Sequence, residues 1–190
     1  AKHSLLRHWD KKLNDHGFNP APFWNVVPGW VAQNIEVADK KEYTYWRTLD
    51  FFAEFIVLIL VAILVGVDSA CLIFIFANTS WYYHSHFIPT FFQFMWYHAL
   101  VLGMVFWSRG WMKAAGIAFA FTTMVRVFPL MFVAGPFLVF ARDWLKTRKL
   151  PKKMTAFVVA FTIAATSFGL IGLTQGQGVK TSIDFLQNIT

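Results

Sequence analysis

Arg126 lies in an otherwise apolar run from Ala114 to Ala141, and Pro129 follows it by three positions. A guanidinium at hydrocarbon depth costs roughly 2.5–3.5 kcal/mol on the translocon-insertion scale, so a chain keeps one where it faces protein, water or an anionic ligand. The proline removes a backbone donor and bends or breaks the helix. Planar donors in a dry setting suit phosphate, which makes Arg126 a candidate anion clamp. The structural alternative is a pair with Asp68, with Glu54, or with carbonyls freed near Pro129.

Asp15 and His16 offer a second chemistry. A carboxylate beside an imidazole in the Gly/Pro-containing stretch Asn14–Pro20 suits a general base and its partner, so both are candidate catalytic residues. The same residue types also tighten turns by bonding their own backbone, and that reading is the stronger of the two. His84, His86 and His98 are imidazoles of the kind that bind copper or zinc. No cluster of Cys or carboxylate accompanies them, so no metal and no cofactor is assigned. Glu54 and Asp68 suit proton relay or neutralisation of Arg126. Two sequons, at Asn78 and Asn188, matter only in a secretory pathway.

The elements that must position these groups read as membrane helices. Hydrophobic residues make up 57% of the chain, aromatics 19%, with 22 Phe and nine Trp, and the mean hydropathy is +0.49. Such values lie far from a soluble domain and suit lipid-facing surfaces with interfacial aromatic anchors. The net charge of +7 does not indicate nucleic acid, because the basic residues flank apolar spans. Clusters of that kind are cytoplasmic retention charges, or they meet anionic headgroups. Cys71 is the single cysteine, so no intrachain disulfide framework exists.

Residues 1–49 form an interfacial or extramembrane region, 50–173 a transmembrane helical region, and 174–190 a polar tail continuing into a longer chain. Spans are expected at 50–65, 91–107 and 154–173, with four or so spanning elements in all. The piece 70–77 is too short to span alone and either completes a bent helix or forms a re-entrant turn. Basic loops at 108–113 and 142–153 bracket residues 114–141. A single kinked crossing there puts the two loops on opposite faces, whereas two half-helices meeting at Arg126–Pro129 put both in the cytoplasm, as the positive-inside bias favours. Both arrangements stay open. The fold class is all-α, a polytopic transmembrane bundle.

Several stretches resemble one family. Asp15-His16-Gly17-Phe18-Asn19-Pro20-Ala21-Pro22-Phe23-Trp24, Ala114-Ala115-Gly116 through Met124, Arg126-Val127-Phe128-Pro129-Leu130, and Gly176-Gln177-Gly178 through Asn188 are similar to GT-C type membrane glycosyltransferases of the mannosyltransferase-like group. The resemblance implies a bacterial inner-membrane protein with a polyprenyl-phosphate sugar donor in a lipid-facing groove. It also implies Arg126 near the lipid phosphate and Asp15 and His16 near the acceptor. Members of that class are considerably longer, and the chain, opening without Met, reads as a partial one. The competing expectation is a non-catalytic accessory subunit of a larger membrane complex, partnered by lipid and other membrane subunits.

Overall fold

The computed structural model describes residues 40–79, 94–126, 129–149 and 151–174, together with Phe23 and Val26, and residues 40–47 and 50 by backbone alone. The protein is an all-α helical bundle. Its described helices are α1 (Lys40–Leu64), α2 (Val67–Thr79), α3 (Met95–Ser108), α4 (Met112–Val125), α5 (Leu130–Thr147) and α6 (Lys152–Gly172).

Consecutive helices alternate in direction, and the turns show why. The chain leaves α1 through Gly66 at φ 139°, α3 through Gly110 at φ 76°, and α5 through Arg148 at φ 52°. Left-handed residues at these positions let the last carbonyls of each helix be satisfied. The Gly66 N–H donates to the Val61 carbonyl at 3.1 Å, Trp111 to Phe106 at 2.8 Å, and Arg148 to Trp144 at 2.7 Å.

These three turns gather at one end of the bundle. Val65 and Ser108 line the same groove, and a Cβ at Gly110 would lie 3.9 Å from the Lys153 Nζ. The basic loops around Arg109 and Lys149 therefore share one end. Residues 114–141 fall in two helices rather than one, because α4 ends at Val125, α5 starts at Leu130, and α5 returns toward the basic end. There Phe140 packs 4.8 Å from Trp107 and 6.0 Å from Phe157. Residues 70–77 belong to α2, which turns back along the bundle after Gly66 and does not prolong α1. At the far end Ala77 clusters with Phe94.

The core is built on α4. Small residues on one of its faces admit α6 closely: a Cβ at Gly116 would sit 2.6 Å from the Phe157 carbonyl oxygen and 3.0 Å from the Phe161 nitrogen. Backbone contact of that kind is available only where no side chain intervenes, the small-residue packing typical of helices in lipid. Farther along, Phe121 packs edge-on to Phe168, so α4 and α6 run parallel. On the other side α3 runs antiparallel to α4, with Gly103 facing Phe119 and Ala118. Leu100, Ala115, Phe119, Val133, Phe140 and Phe157 form the central cluster. A second cluster joins Val57 and Val61 of α1 to Val101 and Val105 of α3.

Outside that core the surface is apolar. Ile63, Phe76, Met131 and Leu138 are each at least 70% exposed, and exposed Phe, Ile, Leu or Val side chains occur on every one of α1, α2, α5 and α6. Among the described residues one helix, Lys152–Gly172, is long and apolar enough to cross a membrane, with a mean hydropathy of 2.0. The apolar segments Phe51–Leu64, Val67–Thr79, Met95–Ser108 and Met112–Val125 are shorter. A 14-residue helix such as α4 rises about 21 Å, against about 30 Å of hydrocarbon in a typical bilayer.

Candidate functional site

Arg126 sits where α4 stops. Its backbone leaves the helix in an extended conformation (φ −142°, ψ 136°), while its N–H still donates to the Thr122 carbonyl at 3.0 Å. Pro129 caps α5 without offering a side-chain acceptor. Val125 and Pro129 are buried on either side of the break, which holds the segment against the bundle. The cation is thus presented at the end of the molecule opposite the basic turns.

The site is fixed from below by Thr122, one helical turn earlier and fully buried. Its hydroxyl donates to the Trp96 carbonyl of α3, tying the C-terminal turn of α4 to the start of α3. Nothing in the composition of the run 114–125 separates this threonine from the neighbouring Thr123. Thr123 instead bonds the Phe119 carbonyl within its own helix at 2.8 Å, and only the fold tells the two apart.

Arg126 is half-buried, and its Nε is shut away from solvent with no hydrogen-bond partner among the described residues. It also has no ion pair among them. Of the expected alternatives, Asp68 lies exposed in the first turn of α2, at the basic end, Glu54 is buried on α1, and the carbonyls at 127 and 128 lie outside the described residues. An amphiphilic donor with a sheltered N–H and no internal counter-charge is the arrangement that accepts an anion.

His98 is buried on α3, and its Nε2 has no hydrogen-bond partner among the described residues. No group of three His, Cys, Asp or Glu able to hold a metal occurs among the described residues. His84 and His86 lie outside the described residues, as do Asp15 and His16. Phe23, from the same stretch as Asp15 and His16, is described. It packs 5.6 Å from Phe121 and 4.8 Å from Phe168, ring to ring. A Cβ at Gly172 would meet its nitrogen at 3.1 Å. That places Phe23 at the same end of the bundle as Arg126.

A groove of about 680 Å³ runs along α3 on the side away from α6. It passes from Trp96, Phe76 and Phe132 at the Arg126 end, past Leu100 and Met104, to Val65 and Ser108 near the basic turns. Apart from Ser69 and Ser108, aliphatic and aromatic side chains make its walls. No family model matches this chain, no curated protein matches it, and no solved structure matches its fold.

Proposed function

We propose that the chain is part of an integral membrane protein of the glycosyltransferase kind, handling a sugar carried on a polyprenyl phosphate, with Arg126 as the residue that meets the phosphate. The observation that carries this reading is the Arg126 cation at a helix break, its Nε sheltered and unmatched by any ion pair among the described residues. The apolar outer surface supports a bilayer setting, and the gathering of basic turns at one end supports a cytoplasmic orientation for that end. The long apolar groove beside α3 supports a hydrocarbon tail lying alongside the bundle. The site takes the finer form of a polytopic bundle interrupted at Arg126–Pro129.

The chemistry follows from charge. Departure of a polyprenyl phosphate develops negative charge on the leaving oxygen, and a positioned guanidinium stabilises it more in a dry site than in water. A carboxylate takes the acceptor hydroxyl's proton; Asp15 is assigned that role and His16 its partner.

The test uses the full chain in lipid nanodiscs, with a fluorescent polyprenyl phosphate as ligand and sugar transfer as a second readout. Arg126→Gln is expected to weaken binding at least tenfold while the helical content holds. Equal binding by both proteins would remove Arg126 from the site. A second reading, an accessory subunit without catalysis, draws on α5, whose Met131 (79% exposed) and Leu138 (70%) point away from the bundle. It gains if the wild-type chain binds no polyprenyl phosphate yet purifies from native membranes in a complex of fixed stoichiometry.

A further inference from the structure

The second groove lies between the parallel helices α4 and α6, at the basic end and on the opposite side of α4 from Trp96. It encloses about 790 Å³. Lys113 and Lys152 stand at its mouth with Thr155, and below them the walls are Ile117, Val159 and Ile163 over a floor of alanines.

The electrostatics of that mouth are incomplete. Because α4 and α6 run parallel, both amino termini, each carrying a partial positive charge, open at the same place. Both first turns carry lysine rather than an acidic residue, Lys113 in α4 and Lys152 and Lys153 in α6. Neither amino-terminal cap, Trp111 or Pro151, supplies a side-chain hydrogen bond to the orphan N–H groups. No Asp or Glu occurs in either helix. The nearby Asp143 lies 3.2 Å from Arg142 and is matched there. Two dipole ends and their lysines therefore open at one place with no acidic residue supplied by either helix.

The trough below has the length of one leaflet. From Thr155 to Ala164 the α6 wall rises about 14 Å, close to half of a hydrocarbon core of about 30 Å. A headgroup at the lysines puts an acyl chain along Ile117, Val159 and Ile163, ending near mid-bilayer.

We infer that this groove is a binding site for an anionic glycerophospholipid of the leaflet at the basic end, its phosphate held by Lys113 and Lys152 and one acyl chain laid in the α4–α6 trough. The inference rests on the bilayer setting of the proposed function but not on Arg126. The lipid covers the open side of the α4–α6 seam at the basic end, beside the close approach at Gly116, so it acts as a structural ligand as well as a charge match.

The experiment is native mass spectrometry of the full chain released from detergent, with phosphatidylglycerol or phosphatidylcholine added in turn. Phosphatidylglycerol is expected to stay bound under activation that strips phosphatidylcholine. Lys113→Gln with Lys152→Gln is expected to erase that preference, each change weakening retention roughly fivefold. Arg126→Gln is expected to leave it unchanged. A diazirine-bearing phosphatidylglycerol is expected to label wild-type peptides containing Val159 and Ile163, a readout independent of any variant. Equal retention of both lipids, labelling confined to other helices, or a lipid-free dimer that shields Ile163 would each overturn the site. Inorganic phosphate displacing the lipid completely would show an anion site without a chain subsite and would overturn it too. Failure to retain any lipid would instead count against the bilayer setting itself.

Discussion

At one end of the bundle Arg109, Lys113, Arg148 and Lys149 are all exposed, whereas at the other end Arg126 is half-buried with its Nε sealed from solvent. The first set occupies short turns whose geometry is set by left-handed residues, so its cations project from the surface wherever the backbone carries them. The second is a single cation placed by a helix break that Val125, Pro129 and Thr122 hold in the packed interior. Many charges at a surface orient a chain through the field they share, each contributing little. One charge partly withdrawn from water has a larger and more local effect, because it is screened less. The two ends thus use the same functional group for different purposes, and the difference is burial.

Gly116 is the place to break this contrast, because the close approach of α4 and α6 keeps the two ends at a fixed separation and register. Gly116→Leu puts a Cβ within 2.6 Å of a backbone oxygen that cannot move aside. The expected loss is on the order of 3 kcal/mol, the upper part of the usual cost of overpacking. Thermal unfolding in detergent reads it, and an unchanged midpoint would mean that the helices are not packed at this point.

Arg126→Gln sharpens the contrast from the buried end. Beside its loss of polyprenyl-phosphate binding, the variant is expected to unfold at the same temperature or higher, since a charge without an ion pair among the described residues has been removed. A clear drop in midpoint would assign Arg126 to the scaffold. Thr122→Val, nearly the same shape, removes the buried hydroxyl's bond to the Trp96 carbonyl. About 1 kcal/mol of stability should go with it, measured by chemical or thermal unfolding. The binding affinity should fall with it only if the turn below Arg126 loosens. At the exposed end, Arg142→Ala breaks a 3.2 Å pair with Asp143 whose side chains are 64% and 42% exposed. No measurable change in unfolding midpoint is expected there.

The helix break was legible because charge and proline coincide in apolar sequence, a local signal. The conflict between the two basic loops was legible too, since loop charge depends only on composition, and the paired arrangement is the one α4 and α5 adopt. Boundaries were less so: α1 begins at Lys40, ten residues before its apolar part, which hydrophobic patterning alone does not mark. The independent course of α2 hung on one positive φ at Gly66, which an isolated glycine announces only weakly. Gly116 and Thr122 were not legible at all. Each gains its meaning from a partner more than 25 positions away, Phe157 in one case and Trp96 in the other. Lys113 and Lys152 read as loop charges until the parallel course of their helices brought them to one groove.

The contact between Phe23 and Gly172 sets an order of events during synthesis. The surface that receives Phe23 is made by Phe121, Phe168 and the bare backbone of Gly172, so it does not exist until the last described helix has left the ribosome. At translation rates of roughly 5–20 residues per second, the intervening stretch of about 150 residues takes on the order of 7–30 s to make. Through that interval Phe23 has no completed surface to meet. The joining of the two ends of this region is consequently a late step of its biogenesis, and a ribosome stalled before Phe168 would leave a chain whose Phe23 has no place to dock.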